Sequence, residues 1–367
     1  MAAVRSVSNG SSSANGAVVV ALDPAGALGQ WSTTDRIAIA IPDHTRPLNI
    51  VPPLTELLQR ISTKPKIVIG LGLHRPMTEQ ELSAIKPFQP IQHNPDDCVP
   101  TDTIDGVPGY VSKDIASCDW CISVGIAELH QYAGFSGGHK GVAVGCGGRE
   151  TILALHHRDR VTASGVRLGS VTTNPFRRVV DDLGEAARCR LALVYVPGCK
   201  RWLFGEPKAV IRKAVQLVSP WSWIQHPANG AILRVPPAKG KTLYQASRAA
   251  TYLALSPHPP VKKGGTLILD APLQEGLGAE KGFVANLQAV MPPWQSFLQG
   301  EPPKGAGAQR AVMLALLAKD YHLELHGCYR PERFKPFGIR AFSSRPTVQP
   351  GWLEINRPFS KLPQWKP

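Results

Sequence analysis

The sequence has no apolar run that approaches the roughly 20 residues needed to cross a bilayer as a helix. The apolar stretch near the N-terminus, residues 17–22, is too short for the apolar region of a secretory signal, so none is expected. We therefore expect a soluble, cytoplasmic protein with no membrane partner. Residues 1–16 are mostly small and polar and are predicted to form a flexible leader.

Cysteine is scarce, with seven in 367 residues. An odd number this small does not build a disulfide scaffold and favours reduced thiols. Cys118 and Cys121 form an isolated CxxC motif. A zinc ribbon needs a second such pair, so we interpret these two thiols as structural.

Acidic residues are fewer than basic ones, with 27 Asp and Glu against 41 Lys and Arg and a formal net charge of +14. The basic residues are scattered and form no stripe with interleaved aromatic residues, so nucleic acid is not an expected partner. The charge indicates a solvated basic surface or, as the alternative, a preference for anionic small ligands.

The sequence does contain an alternation of short β-branched runs and helical periods. One helix is expected to begin with a capping box from Thr78 to Glu81. Continuous apolar runs predict strands buried on both faces, at residues 37–41, 66–73, 121–126 and 191–196. The alternation predicts an α/β protein of two α/β domains with mostly parallel sheets and the active site in the cleft between them.

The Pro-, Trp- and Gly-rich stretch at residues 219–230 is the best domain boundary. We predict a cofactor-binding catalytic domain at residues 17–226 and a smaller α/β substrate-side domain at residues 227–345. A tail at residues 346–367 is predicted to pack back on the first domain.

Ionisable side chains follow three of the predicted strands. Asp43 and Arg46 follow the first, His74 follows the second, and His130 follows the third. Ligands bind beyond the carboxyl ends of the strands in open α/β sheets. These side chains are therefore candidates for one active site.

The densest candidate segment covers residues 128–141 and includes Gly137, Gly138 and Lys140. Closely spaced glycines allow successive backbone N–H groups to surround an anion. The segment is not a Walker A loop, because His139 and not glycine precedes the lysine. From the residues alone, an anion-binding loop and a tight structural turn are equally good interpretations.

Residues 150–158 are predicted to form a helix that carries His156 and His157. Adjacent helix positions point about 100° apart, so only one of the two imidazoles can face a site. Imidazole is a ligand for nickel, copper and zinc. A position on the surface or a hydrogen-bonded position in the core is the alternative for either histidine.

Four ordered motifs together resemble the nickel-pincer nucleotide-dependent lactate racemase family. They are DHTRP at 43–47, GLHRP at 72–76, His130 followed by AGFSGGHK at 133–140, and ETI at 150–152 leading to His156. The resemblance implies racemisation or epimerisation of a small, lactate-like 2-hydroxy acid by proton-coupled hydride transfer, with a 2-keto acid intermediate. It implies as cofactor the nickel-pincer nucleotide, a nickel pyridinium-3,5-bisthiocarboxylic acid mononucleotide.

The resemblance also implies which residues hold this cofactor. Lys140 carries it covalently, and His156 is the metal ligand that completes the nickel coordination. The other cofactor-binding candidates are Asp43, Thr45, Ser136, Gly137 and Gly138.

On the substrate side, the resemblance implies that His74 and His130 are the catalytic bases that exchange the hydroxyl proton of the two enantiomers. Histidine does this near neutral pH. Arg46 is expected to hold the substrate carboxylate through a bidentate pair. Three further residues are substrate-binding candidates: Tyr244, Gln245 and Arg248.

The second domain departs from the family pattern. Arg248 stands where the family has lysine, and the planar fork of arginine is not equivalent to an ammonium group. Residues 273–278 and 305–309 also differ, the latter lacking a family tryptophan. These departures leave lactate, larger aliphatic hydroxy acids, malate-like diacids and sugar acids open as substrates.

Beyond the substrate, the resemblance implies cofactor-synthesis proteins as partners. No sequence pattern decides the oligomeric state, and a homodimer is compatible with the sequence. The alternative function is a non-catalytic nucleotide- or phosphate-binding protein that uses the loop at residues 134–140.

Overall fold

The structure is a computed structural model that describes residues 19–21, 34–46, 48–61, 63–218, 220–278, 281–289, 294–301 and 303–366. The predicted leader at residues 1–16 lies outside these ranges. The chain forms two compact units. Unit 1 comprises the described parts of Met1–Glu128, Phe135–Leu155 and Val171–Ser219, and unit 2 comprises Leu129–Gly134, His156–Ser170 and Pro220–Pro367. The domain limits drawn from the sequence stay a prediction.

Unit 1 is built on a seven-stranded sheet. Its strands are β1 (Val19–Ala21), β2 (Ile37–Pro42), β3 (Lys66–Gly70), β4 (Ile91–Gln92), β5 (Trp120–Ile126), β6 (Cys189–Val196) and β7 (Arg201–Gly205). Their order is β1-β7-β6-β5-β2-β3-β4. Every pair is parallel except β6 with β7. The predicted α/β fold with mostly parallel sheets is therefore confirmed.

The helices of unit 1 connect and cover these strands. They are α1 (Val51–Gln59), α2 (Glu79–Leu82), α3 (Lys113–Ala116), α4 (Lys140–Ala143), α5 (Arg149–Leu155), α6 (Pro175–Ala186) and α7 (Pro207–Val218). The predicted capping box of α2 is present, because Thr78 Oγ1 accepts from the N–H of Glu81 and the Glu81 carboxylate accepts from the N–H of Thr78. A short hairpin of Cys98–Pro100 with Tyr110–Ser112 and a 3-10 turn at Lys86–Phe88 complete the unit.

The two faces of β2 carry side chains of different size. Ile39 and Ile41 belong to a cluster of large apolar residues, whereas Ala38 and Ala40 face a cluster of small ones. The small face lets α4 approach closely. A Cβ at Gly141 would collide with the hydroxyl of Ser123 on β5. Gly141, which lies in the region of the predicted anion loop, therefore also serves the packing of α4 against the sheet.

The predicted helix at residues 150–158 ends earlier than expected. Helix α5 ends at Leu155, and His156 lies in the turn that follows. His157 then begins a separate short helix, Arg158–Val161, by accepting the N–H of Asp159 with Nδ1 at 3.4 Å. A histidine that caps its own new helix interrupts the continuous helix that residue periodicity predicted.

Unit 2 contains a five-stranded sheet in which every pair is parallel. Its strands are β8 (Ala228–Arg234), β9 (Val261–Asp270), β10 (His322–His326), β11 (Arg340–Ala341) and β12 (Trp352–Ile355), in the order β11-β10-β9-β8-β12. Its longer helices are α8 (Leu243–Ala254), α9 (Lys281–Ala289), α10 (Trp294–Gln299) and α11 (Ala308–Asp320).

The C-terminal residues take part in two sheets of unit 2. Strand β12 lies at the sheet edge beside β8. Leu362–Trp365 pairs in parallel with Trp221–Ile224. The remaining elements are a 3-10 helix at Pro331–Phe337 and the short strands Leu129–His130 and Gly134–Phe135. None of the described helices is both long and apolar enough to cross a membrane.

Candidate active site

In unit 1, the strand order reverses between β2 and β5. From β2 the chain continues to β3 on one side, and it later returns to β5 on the other. Such a reversal opens a crevice beyond the carboxyl ends of the two strands, where ligands bind in open α/β sheets. The residues that follow β2, β3 and β5 carry the candidate chemistry of this unit.

Asp43 and His74 form a hydrogen-bonded pair at this edge. The last residues of β2 and β3, Pro42 and Gly70, are register partners. This register brings Asp43 Oδ2 to 2.7 Å from His74 Nδ1, while Asp43 Oδ1 accepts from Thr45 Oγ1 at 2.6 Å. Because a carboxylate accepts the Nδ1 hydrogen, the lone pair of neutral His74 lies on Nε2. The carboxylate thus fixes the tautomer in which Nε2 can act as a base.

The environment of Asp43 keeps its carboxyl ionised. Burial alone would raise the pKa of this group. The charge and hydrogen bond of His74, the hydrogen bond of Thr45 and the charge of Arg46 outweigh burial and hold the pKa of Asp43 well below its usual range. The carboxylate therefore stays charged at neutral pH and holds His74 firmly.

We expect Asp43→Asn to lower the free energy of unfolding at pH 7 by about 2 kcal/mol, because an amide loses the charge-assisted bonds to His74 and Thr45. A folded-state pKa below the unfolded one, about 3.9, stabilises the fold above that pH. This contribution is lost as pH falls through the lower, folded-state value. Urea unfolding at pH 7 and pH 3 should show the variant's deficit shrinking in acid; an equal deficit at both would contradict the assignment.

Arg46 reaches the end of β5. Its Nη1 lies 3.3 Å from Oε2 of Glu128, a residue two positions after β5, and both side chains are largely buried. The sequence did not single out Glu128, although it lies in the segment identified as densest. The pair connects the residues after β2 with those after β5 and orients the guanidinium expected to hold a carboxylate.

The glycine-rich loop before α4 is tightly built into unit 1. Gly137 and Gly138 have φ angles of 86° and 61°, which side chains rarely adopt. A Cβ on Gly138 would lie 2.8 Å from Cγ1 of Ile211. Among the described residues, no acceptor takes the N–H groups of Gly137, Gly138 or His139. Successive N–H groups in such a conformation form a concave anion site, and Lys140 follows as the first residue of α4.

Ser136, another of the cofactor-binding candidates, lies in the segment between β5 and α4. Its side chain is buried, and the hydroxyl donates to the carbonyl of Ile126 at 2.6 Å and accepts the N–H of Glu128 at 3.0 Å. The hydroxyl therefore closes the loop onto the end of β5. A direct contact with a cofactor stays a prediction for this residue.

One group of His, Cys, Asp and Glu among the described residues has the spacing of a metal site: His139, Glu185 and Glu206, with ligand atoms within 4.8 Å of one another. All three already have protein partners. The His139 ring nitrogens lie 3.1 Å from Asp181 Oδ1 and 3.2 Å from the carbonyl of Cys189. The Glu206 carboxylate accepts two N–H groups of α7. This group is separate from the predicted nickel ligand, His156.

In unit 2, Tyr132 is packed between two of the predicted site residues. Its ring lies edge-on to His130 and to His156, with centroids 5.7 Å from each. His130 Nδ1 accepts the N–H groups of Ala133 at 3.1 Å and Tyr132 at 3.4 Å. These bonds favour the neutral tautomer with hydrogen on Nε2. His130 therefore presents a donor in this arrangement, in contrast to His74.

The predicted substrate residues of α8 also lie in unit 2. Thr242 caps the helix by accepting the N–H of Gln245. Tyr244 and Gln245 are buried, and the Arg248 guanidinium lies 5.4 Å from the centre of the Tyr244 ring. Tyr244 and Arg248 therefore lie against each other at the helix start, and a substrate-binding role for the three residues stays a prediction.

Sequence analysis did not identify Arg310 on α11, which contacts Tyr132. It is 2 % exposed and donates from Nη2 to the Tyr132 hydroxyl at 3.1 Å. Its Nη1 donates to Thr251 at 2.8 Å. A signal for it exists, since Arg310 is a cation directly before the apolar run at residues 311–318.

Known proteins match this chain in sequence. The family described as Lactate racemase N-terminal domain matches residues 9–168. The lactate racemase of Lactiplantibacillus plantarum is 30% identical over 286 residues, 70% of this chain and 64% of that protein. The lactate racemase of Thermoanaerobacterium thermosaccharolyticum is 30% identical over 173 residues, 43% of this chain and 40% of that protein.

Over residues 9–168 the chain is therefore similar to the lactate racemase family. The resemblance inferred from the four motifs is confirmed, since all four lie within the matched residues. The chain spans less than two thirds of the length of the lactate racemases that it matches.

Solved structures show the same fold at low sequence identity. The lactate racemase apoprotein of Thermoanaerobacterium thermosaccharolyticum matches with a TM-score of 0.76 and 22% identity, covering 90% of this chain and 87% of that chain. A Thermotoga maritima protein matches with a TM-score of 0.72 and 16% identity, covering 92% and 96%. These likenesses support the α/β fold described above.

Proposed function

We propose that this chain is a racemase or epimerase of a short 2-hydroxy acid that works with a nickel-pincer nucleotide. The observation that carries the proposal is the Asp43–His74 pair beside Arg46 in a lactate racemase N-terminal domain. An oriented base next to a cation suits an acid that bears both a hydroxyl and a carboxylate.

The loop before α4 is suited to the nucleotide's phosphate. The N–H groups of Gly137, Gly138 and His139 have no acceptor among the described residues, and the lysine that would carry the cofactor follows directly. His156 would supply a nitrogen ligand, which suits nickel together with the cofactor's soft sulfur donors. When bound, the cofactor supplies the acceptor and donor of the hydride at Cα.

The chain's own residues handle the proton and the carboxylate. His74 accepts the hydroxyl proton at Nε2, because Asp43 holds its Nδ1 hydrogen. The resulting imidazolium is stabilised by the same carboxylate, and it returns the proton when the keto group is reduced. Arg46, oriented by Glu128, holds the substrate carboxylate while the planar 2-keto acid exposes both faces.

We propose that His130 is the second base and that its imidazole rearranges before it accepts a proton. In the described structure its Nδ1 accepts two backbone N–H groups, so Nε2 carries the hydrogen. This form can donate to a substrate oxygen. To accept a proton at Nε2, the imidazole must release these two amide bonds, so we expect the base that serves one enantiomer to be better prepared than the base that serves the other.

Metal analysis of protein produced in a host that makes the cofactor tests the proposal. We expect nickel in the purified protein and a mass adduct on the peptide that contains Lys140. Nickel-free protein with an unmodified Lys140 from such a host would contradict the proposed use of this cofactor. The enantiomer ratio of added 2-hydroxy acids, followed by chiral chromatography, measures the activity.

His156→Ala should lose nickel, because the variant lacks the only protein ligand that we assign to the metal. The adjacent His157→Ala is the matched control, since its imidazole is exposed and caps a surface helix. Metal content and thermal unfolding are measured for both. Equal nickel in the two variants would show that His156 is not the ligand.

The alternative is a non-catalytic nucleotide- or phosphate-binding protein that uses the same loop. The N–H groups of Gly137 and Gly138, which no described acceptor takes, favour it as well. It predicts stabilisation by a mononucleotide together with no change in any enantiomer ratio. The oriented Asp43–His74 pair weighs against it, because a pure binding protein has no use for a prepared base.

A further inference from the structure

Tyr132 lies between two histidines that the proposed function uses. Its ring is edge-on to the imidazoles of His130 and His156, with centroids 5.7 Å away and ring planes at 77° and 79° to its own. Its backbone N–H also donates to His130 Nδ1 at 3.4 Å. Tyr132 is buried, and all three residues belong to unit 2. In a close-packed interior a ring cannot shift without its neighbours, so the position of each imidazole depends on this ring.

The hydroxyl of Tyr132 is held by Arg310 of α11. Nη2 of this arginine donates to Tyr132 Oη at 3.1 Å, and Nη1 donates to Thr251 Oγ1 at 2.8 Å and to Gln131 Oε1 at 3.3 Å. Thr251 Oγ1 in turn donates to Gln131 Oε1 at 3.0 Å. One guanidinium therefore connects α8 and α11 with the segment that carries His130.

Arg310 is buried without a carboxylate. Its Nε has no hydrogen-bond partner among the described residues, and no described carboxylate forms an ion pair with the guanidinium. The comparably buried Arg177, in contrast, pairs with Asp181 at 2.9 Å. Removal of a guanidinium from water is costly unless hydrogen bonds or an anion offset it. The five N–H donors of arginine lie in one rigid plane, so this guanidinium fixes the direction of each of its acceptors.

Tyr132 itself is not a base at neutral pH. Burial raises the pKa of its phenol, and the nearby charge of Arg310 offsets this only in part. The phenol therefore stays protonated and accepts the hydrogen bond from Arg310 as a neutral group. This leaves position, and not proton transfer, as what Tyr132 contributes to the site.

We propose that Tyr132 and Arg310 are positioning residues of the reaction: Arg310 fixes the Tyr132 hydroxyl, and the ring then sets the spacing of the two histidines beside it. This inference rests on the proposed function, in which His130 exchanges a proton and His156 binds nickel. Because both imidazoles pack against one ring, a shift of that ring displaces the base and the metal ligand together. Loss of Arg310 therefore affects both, although it is hydrogen-bonded to neither imidazole.

Nuclear magnetic resonance of the histidine rings in the unloaded full-length chain tests the inference apart from catalysis. Arg310→Met should shift the ring-proton signals of His130 and His156 together, because the aromatic ring beside them moves. Tyr132→Phe, which keeps the ring and removes the hydroxyl, should shift the same two signals. His130→Asn and His156→Ala assign the signals. Unchanged signals of both histidines in Arg310→Met would overturn the inference.

Tyr321→Phe is the matched control for these variants. It removes another buried hydroxyl of unit 2, which donates to the carbonyl of Val261 at 3.3 Å. It should leave the signals of His130 and His156 in place. Thermal unfolding checks that each variant is folded. If Arg310→Met is not, Tyr132→Phe decides the question, because it keeps the ring and breaks the same hydrogen bond.

A double-variant cycle on loaded enzyme tests whether Arg310 acts through Tyr132. Arg310→Met should lower kcat by about 10²-fold with little change in KM, because a displacement of about 1 Å caused by a residue away from the chemistry can cost that much. Tyr132→Phe combined with Arg310→Met should lose no more than Arg310→Met alone, since both changes break one hydrogen bond. Losses that multiply would contradict a path through the Tyr132 hydroxyl.

Nickel release separates this inference from the proposed function. Loaded Arg310→Met should lose nickel to EDTA faster than the parent protein and faster than Tyr321→Phe, because His156 is displaced. Unchanged kcat and nickel release in a folded Arg310→Met would refute the positioning role while the proposed function stands. A parent protein that neither carries nickel nor interconverts enantiomers would refute the proposed function, and the positioning role with it, whatever the histidine signals show.

Discussion

Lys140→Arg should give a folded protein that carries no adduct at position 140 and interconverts no 2-hydroxy acid at a measurable rate. An arginine keeps the positive charge beside the glycine loop, but its guanidinium is a poor nucleophile and cannot form the covalent link expected of lysine. Intact-protein mass spectrometry and chiral chromatography measure both effects on protein from a cofactor-producing host.

The control for this prediction is Lys113→Arg, an exposed lysine of unit 1 that forms an ion pair with Asp97. It should keep both the adduct and the activity. If Lys140→Arg retained the adduct, the attachment would lie elsewhere in the chain. If it lost the adduct and kept full activity, the covalent link would not be needed for the reaction.

His74→Asn should lower kcat by about 10³-fold while nickel stays bound, because removal of a general base typically costs 10²- to 10⁴-fold in rate. His130→Asn should also abolish racemisation without loss of the metal. The exposed His226→Asn serves as control for both. Retained activity in either base variant would show that the pair is misassigned.

The sequence was informative wherever long apolar runs end in charged residues. Residues 37–41 and 121–126 predicted strands that the structure contains, and Asp43 and His74 follow their strands as expected. The 2.7 Å bond between these two side chains could not be predicted. It depends on the register that pairs Pro42 with Gly70, and continuously apolar runs without an alternating pattern do not define the register.

Other features of the structure were not predicted from the sequence, for different reasons. Strand β12 has four residues and β11 has two, too few to show a period. The helix predicted at residues 150–158 was too long, because periodicity does not reveal that His157 caps a new helix. Arg310 was missed because its partners Tyr132 and Thr251 are distant in sequence.

For the glycine-rich loop, the residues alone left two interpretations open, an anion-binding loop and a tight structural turn. Its glycines pack against Ile211 and Ser123, as expected of a structural turn. Its N–H groups at Gly137 and Gly138 also lack acceptors among the described residues, as expected of an anion site. The structure therefore supports both roles for the same residues, and the family match gives the second its chemical meaning.

The most direct test of hydride-based racemisation is the fate of the hydrogen at Cα. A single enantiomer of a 2-hydroxy acid deuterated at Cα is incubated in ordinary water with cofactor-loaded enzyme, and the antipode is isolated and weighed by mass spectrometry. The account predicts that the antipode retains the deuterium, because the hydride returns to the carbon it left. Antipode formed with hydrogen from water at Cα would contradict it and show proton abstraction instead.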